Sequence, residues 1–157
     1  HRVHRRQRQM CIRDSLISIF KDLGVQPILI GDGDVSGGLK AAEGSVDLLY
    51  GIGAAPEGVI TATAVKAMGG FFEGRLHFMD ESFKERALKM LGSDINNLWS
   101  ADDLCRSSDS FFIASGVCSG WIPGVKFDGN KAEVTSKIIF GDSSETQIIT
   151  NEYILGE

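Results

Sequence analysis

Hydrophobic residues recur at helical spacing in several parts of the chain. After Ser15, which can cap a helix, apolar side chains recur every three to four positions as far as Gly24. A second apolar stripe follows Pro56, whose missing N–H suits the first position of a helix, and a charged amphipathic segment covers residues 81–91. The small residues at 35–44 predict a shorter helix. The pattern therefore predicts helices in both halves of the chain.

Short apolar runs and one alternating segment predict strands. The runs lie at 25–30, 46–50, 75–78 and 111–115, and the second of them enters the next helix through a glycine turn, as in a βα unit. The tail alternates apolar and polar residues on both sides of a turn at 141–144, which is typical of an antiparallel hairpin. We therefore expect an α/β fold with a mixed sheet, flanking helices and a terminal β-hairpin.

The composition is that of a folded domain with an acidic body. The chain has 157 residues, of which 43% are hydrophobic, and a chain of this size can bury a core. No apolar run is long enough to cross a membrane, and no secretory signal is legible at the start. Arginine is concentrated in the first 14 residues, so the remainder is acidic, which disfavours nucleic-acid binding. We expect neither a nucleic-acid nor a membrane partner.

The cysteines indicate the redox environment of the protein, and the first residues indicate where its folded portion begins. Cys11, Cys105 and Cys118 are odd in number and lack metal-ligand spacing, so reduced thiols in the cytoplasm are expected rather than a disulfide scaffold or a zinc site. Residues 1–14 show no amphipathic period, and we interpret them as a non-native or disordered basic head. The folded portion is predicted to cover residues 15–157.

An acidic turn follows the first predicted strand. In open α/β sheets, ligands bind beyond the carboxyl ends of the strands, which is where Asp32 and Asp34 lie. Their carboxylates could accept hydrogen bonds from sugar hydroxyls or help to hold a divalent cation, and Gly33 allows a close backbone approach. The alternative is an Asp-Gly turn whose acids are only solvated.

A glycine-rich turn follows the second predicted strand and is expected to face the same crevice. Gly51 and Gly53 permit positive φ angles, and the N–H groups at the start of the next helix can hold a phosphate. Glu57 lies in the first turn of that helix. It either stabilises the helix dipole or serves as a hard oxygen ligand for magnesium or manganese.

The order of these motifs resembles one family of enzymes. The segments, read along the chain, are GDGDV at 31–35, VDLLYGIGAAPEGV at 46–59, GRL at 74–76, DDL at 102–104 and FFIASGV at 111–117. Together with the closing hairpin, they are similar to the C-terminal half of bacterial class II fructose-1,6-bisphosphatases. The resemblance extends from about Leu16 to the end of the chain.

The resemblance implies a fold, a reaction and partners. The fold is that of the lithium-sensitive sugar and inositol phosphatases, and the reaction is hydrolysis of the 1-phosphate of fructose 1,6-bisphosphate, a step of gluconeogenesis. Some relatives also accept sedoheptulose 1,7-bisphosphate. The cofactor would be Mn²⁺ or Mg²⁺, and the full-length enzyme would be a homo-oligomer, either a dimer or a tetramer.

The resemblance also implies roles for particular residues. Glu57 matches the metal-ligand glutamate, Asp32, Gly33 and Asp34 match substrate contacts, and Ala54 stands where a turn glycine meets the substrate. The other metal carboxylates of the family, and its Asp-Pro-x-Glu-Gly-Thr-like segment, lie upstream of the matched region. Because this chain contains no such segment, it is expected to be inactive by itself.

Two other interpretations remain open at this stage. The first is a nucleotide-binding or sugar-phosphate-binding module without catalysis, since Gly51-x-Gly53 lies between a predicted strand and a helix. Pro56 occupies the place of the third glycine of a dinucleotide fingerprint, however, and Glu73 precedes the next strand instead of following it. The second is a regulatory or assembly fragment without chemistry.

Overall fold

A computed structural model describes residues 14–78 and 80–156. The chain divides into two compact units, of which the first ends at Asp32 and the second begins at Gly33. The prediction that the head is non-native or disordered falls on residues 1–13, which lie outside the described residues. Asp14, the last residue of the predicted head, is already helical.

The helices occur close to where the sequence predicts them. They are α1 (14–22), α2 (Asp34–Ala42), α3 (Ala55–Ala67), α4 (Glu81–Leu91), a 3-10 helix (Gly92–Asn96) and α5 (Ala101–Leu104). The short α5 follows Ser100, whose side chain caps it by accepting a hydrogen bond from the N–H of Asp103. None of the helices in the described ranges is long and apolar enough to span a membrane.

In the part of the chain that the structure describes, the strands form two antiparallel sheets, so the mixed sheet that the sequence predicts is not found there. They are β1 (Glu73–Gly74), β2 (Trp99–Ser100), β3 (Phe111–Ser115), β4 (Lys126–Asp128), β5 (Lys131–Phe140) and β6 (Thr146–Ile154). β1 pairs with β2, while β5 pairs with β3 and β4 on one side and with β6 on the other. The predicted strand at 111–115 and the terminal hairpin are therefore confirmed.

Three predicted strands are wrong. Residues 25–30, 46–50 and 75–78 are not strands in the structure, and the two-residue β1 ends just before the last of these runs. A strand exists through hydrogen bonds to a neighbour, and the described part of the chain places no strand beside these runs. Several of their apolar side chains are accordingly exposed, by 77% at Ile28 and by 66% at Leu48.

In the first unit, the end of α1 is fixed by a glycine. Gly24 has a φ of 75°, a left-handed conformation that favours glycine. This turn lets the N–H of Val25 reach the carbonyl of Phe20 at 2.8 Å, which satisfies one of the free carbonyls at the helix end. The helix therefore ends where the sequence predicts.

In the second unit, α2 and α3 pack closely and run in the same direction. A Cβ placed on Gly38 would lie 2.5 Å from Cγ2 of Thr61, so only glycine fits at this crossing. One turn further on, Ala42 and Val65 both lie within 3.2 Å of the point where a Cβ on Gly70 would be. Small residues thus let the two helices approach, and their N-terminal ends lie at the same end of the pair.

Candidate functional site

Asp34 begins α2 immediately after a glycine in a left-handed conformation. Gly33 has φ 83° and ψ 40°, and its carbonyl accepts hydrogen bonds from Ser36 Oγ at 2.9 Å and from the N–H of Gly37 at 3.0 Å. A side chain would be strained at this φ, so the turn depends on glycine. Asp34 lies in the first helical turn, where the helix dipole favours a carboxylate.

Glu57 is the third residue of α3 and folds back over the start of its helix. Its Oε2 accepts a hydrogen bond from the backbone N–H of Ala54 at 2.9 Å. The sequence predicted that Pro56 is the first residue of the helix. The helix begins at Ala55, so Pro56 is its second residue. Glu57 therefore caps its own helix with one carboxylate oxygen. A carboxylate has two oxygens, so this bond leaves the ligand interpretation open.

The carboxylates of Asp34 and Glu57 meet at Gly53. A Cβ placed on Gly53 would lie 2.9 Å from Asp34 Oδ2 and 3.4 Å from Glu57 Oε2. Two of the three acids that were predicted to converge, Asp34 and Glu57, therefore lie close to the same point. Their meeting arises from the parallel packing of α2 and α3 and not, as predicted, from the ends of two neighbouring strands, because residues 25–30 and 46–50 form no strands.

The remaining predicted site residues divide into two groups. Gly33 and Ala54 are the N-cap residues of α2 and α3, so they flank the two carboxylates in sequence. Asp32 belongs to the first unit of the chain, and its convergence on the same crevice stays a prediction. Neither Gly51 nor Gly53 has a positive φ, so the conformational role predicted for them is wrong. The absence of a side chain at Gly53 instead leaves room for the carboxylate of Asp34.

The donor set at Gly53 suits a hard cation but is small. Carboxylate oxygens are ligands that Mg²⁺ and Mn²⁺ prefer, and the helix N-termini beside them favour an anion such as a phosphate. Within residues 14–78 and 80–156, no group of three or more Asp, Glu, His or Cys side chains could hold a metal ion. Asp34 and Glu57 can therefore supply part of a metal and phosphate site, and further ligands would have to come from elsewhere.

A second polar cluster, which the sequence did not predict, holds the other end of α2. Glu43 follows the last residue of the helix and accepts hydrogen bonds from Lys137 Nζ and, at 2.7 Å, from Trp121 Nε1. Lys137 Nζ also lies 4.2 Å from the centroid of the Trp121 ring. The cluster therefore ties α2 to β5 and to the loop that carries Trp121.

The electrostatics of Glu43 explain why an acid stands at this place. Burial raises the pKa of its carboxyl, but the hydrogen bonds from Lys137 and Trp121 and the positive charge of Lys137 lower the pKa by more. A carboxylate at a helix C-terminus is disfavoured by the dipole. An acid at a helix C-terminus is therefore unusual, and Glu43 at this position could have indicated from the sequence that a positively charged side chain lies nearby.

Comparison with known proteins gives one family. Residues 5–153 match the family described as bacterial fructose-1,6-bisphosphatase, glpX-encoded. A D-fructose 1,6-bisphosphatase class 2/sedoheptulose 1,7-bisphosphatase of Trichodesmium erythraeum is 34% identical over 90% of this chain and 46% of its own length. A fructose-1,6-bisphosphatase class 2 of Haemophilus influenzae is 33% identical over 92% of this chain and 48% of its own length. The chain thus spans about half the length of these curated relatives.

Proposed function

Because the chain belongs to the family of bacterial glpX-encoded fructose-1,6-bisphosphatases, we propose that it forms part of a metal-dependent phosphatase that acts on a sugar bisphosphate. The observation that carries this proposal is the meeting of Asp34 and Glu57 at Gly53. The substrate would be fructose 1,6-bisphosphate, and the bond broken would be that of its 1-phosphate. Sedoheptulose 1,7-bisphosphate is a second candidate substrate, because the names of some relatives include it.

Each residue at the site has a role in this proposal. Glu57 would help to hold Mn²⁺ or Mg²⁺ with the carboxylate oxygen that does not cap the helix. Asp32 and Asp34 would accept hydrogen bonds from the sugar hydroxyls, and Gly33 between them would let the backbone approach the substrate closely. The backbone around Ala54 would lie against the substrate. A cation held there would offset the negative charge on the phosphoryl oxygens and help to activate the attacking water.

The proposal extends to the fold and the setting of the whole protein. The fold would be that of the lithium-sensitive sugar phosphatases, the protein would be a cytoplasmic homo-oligomer, and its pathway would be gluconeogenesis. The reaction would also need carboxylates from the half of the family's chain that this chain does not match, since one metal-binding carboxylate is too little to hold a catalytic cation and the described ranges contain no group of three or more possible ligands.

The test compares the chain alone with a restored protein. The restored protein joins this chain to the half of the Haemophilus influenzae relative that it does not match. With Mn²⁺ or Mg²⁺, the chain alone is expected to release phosphate from fructose 1,6-bisphosphate at the background rate, and the restored protein is expected to turn over. Rapid metal-dependent turnover by the chain alone would contradict the proposal that its metal site is incomplete.

A charge-removing substitution then tests the site itself. In the restored protein, Glu57→Gln keeps the shape and the helix-capping acceptor but removes the negative charge, so kcat/KM should fall by about 10²-fold. Glu81→Gln is the matched control, because Glu81 also lies in the first turn of a helix and pairs on the surface with Lys84. Equal activities of the two variants would remove Glu57 from the site, and binding without turnover would favour the sugar-phosphate-binding alternative.

A further inference from the structure

The two faces of the four-stranded sheet differ in charge. Antiparallel pairing places directly opposed residues on the same face, and the pairs Phe111–Phe140, Ser136–Ile149 and Ala132–Tyr153 all lie on one of them. This face consists of the odd-numbered residues of β3 and β6, the even-numbered residues of β5, and Phe127 of β4. It carries no Asp, Glu, Lys or Arg, and we call it the uncharged face.

Five large side chains of the uncharged face are exposed, whereas Ile138 and Phe140 on the same face are half-buried. Phe111 is 61% exposed, Ile113 52%, Phe127 71%, Ile149 39% and Tyr153 51%. These side chains leave on the order of 500 Å² of apolar surface distributed over all four strands, near the upper end of what a monomer exposes. Burying this area against a partner would release water without desolvating any charged group.

The opposite face packs against helices in one part and carries charged side chains in another. It contains Ile139, which is fully buried, and α3 packs against β3 and β5. Elsewhere it carries charges that pair across neighbouring strands, as Lys126 does with Glu133 and Lys131 with Glu152, both at 2.8 Å. Covering these charged pairs would cost desolvation, so this face is a poor surface for a further partner.

The occupant of the uncharged face follows from the length of the relatives. More than half of the Trichodesmium erythraeum and Haemophilus influenzae relatives has no counterpart in this chain. We propose that this remaining half of the family's chain packs on the uncharged face, through an apolar surface that has few charges of its own. The inference rests on membership of the family and not on the proposed catalytic activity.

Two adjacent isoleucines of β6 provide a matched test. Ile149 lies on the uncharged face and Ile148 on the opposite one, and both side chains are exposed. This chain is co-expressed with the tagged remaining half of the Haemophilus influenzae relative, and the amount that co-purifies is measured. Ile149→Lys should reduce the co-purified chain at least tenfold, because a charge would be buried without a partner, whereas Ile148→Lys should leave it within twofold.

A second pair of adjacent residues, Tyr153 and Ile154, repeats the test in case one of the first variants misfolds. Tyr153→Lys on the uncharged face should reduce co-purification as Ile149→Lys does, and Ile154→Lys on the opposite face should not. Circular dichroism of each purified variant reports whether the sheet is intact. The proposal is overturned if the unsubstituted chain does not co-purify, or if both faces respond equally. It is also overturned if light scattering shows a dimer of this chain alone that Ile149→Lys dissociates, because a second copy would then be the occupant.

Discussion

The helix pair α2–α3 and the segment that joins its members differ sharply in how they are held. The helices pack in direct contact, since Gly38 has no room for a methyl group beside Thr61. In the segment between them, Leu48 is 66% exposed and Ile52 is 49% exposed. The joining segment is apolar enough to be a strand but has no strand beside it in the described part of the chain.

This difference shows what positions the site. Asp34 and Glu57 are carried by the closely packed helices, and their meeting point at Gly53 lies at the end of the loosely held segment. The helix contacts are made within this chain. The site geometry can therefore exist in this chain before any partner contributes strands or ligands.

The largest expected effect comes from widening the helix crossing. Gly38→Ala would put a Cβ 2.5 Å from Cγ2 of Thr61, and such overpacking costs about 1 to 3 kcal/mol. Gly58→Ala is the control in the partner helix, because nothing lies within 4 Å of its Cβ position, and it should stabilise the protein by about 0.5 to 1 kcal/mol. Urea unfolding monitored by circular dichroism would measure both changes.

A double variant sharpens the first result. Thr61→Ser removes the methyl group that Gly38→Ala would strike but keeps the hydroxyl that donates to the carbonyl of Glu57 at 2.8 Å. Combining the two substitutions should recover most of the lost stability. If Gly38→Ala alone is harmless, the crossing is looser than the structure shows.

A smaller effect is expected where the pair meets the joining segment. In the restored protein, Gly53→Ala would place a methyl group 2.9 Å from Asp34 Oδ2, and this flexible carboxylate can move away with little cost in stability. The displaced carboxylate should lower kcat/KM about tenfold at unchanged melting temperature. Gly51→Ala, with open space around its Cβ position, should keep full activity. Equal losses in the two variants would indicate a general effect of the turn.

The smallest effect concerns pH and the far end of α2. The pKa of Glu43 is lowered in the folded protein, so the stability it contributes is present above its unfolded pKa and is lost as the pH falls through the lowered folded value. In a Trp99→Phe background, Trp121 fluorescence should change in that acidic range, because protonation of Glu43 removes the negative charge that strengthens the hydrogen bond from Trp121. Glu43→Gln should abolish the transition, and an unchanged titration in that variant would assign it to another group.

The sequence predicted those parts of the fold whose signals are local. The helix Glu81–Leu91 has the predicted bounds, because Asp80 caps its start and Gly92 ends it. The hairpin of β5 and β6 also follows from a local turn and alternation. The runs at 25–30 and 46–50 could not be predicted in the same way, since an apolar run becomes a strand only beside another strand.

The candidate site was predicted in part and for a different reason. Asp34 and Glu57 were identified from motifs, yet the contact between them depends on the Gly38–Thr61 crossing, which no periodicity in the sequence reveals. The cluster of Glu43, Lys137 and Trp121 joins residues more than 70 positions apart. Contacts at such separations follow from packing, which a single sequence does not display.

The helix α4 gives the molecule an element of low local stability. None of its 11 residues is buried, and its stripe of apolar side chains, including Phe83 and Met90, is exposed. Isolated helices of this length are marginal in water, and most helical stability comes from tertiary packing. The capping bond of Asp80 and the pair of Lys84 with Glu81 are therefore a large share of what holds it. We therefore expect local unfolding of α4 to require less free energy than opening the α2–α3 pair, so that its amide groups exchange with solvent sooner.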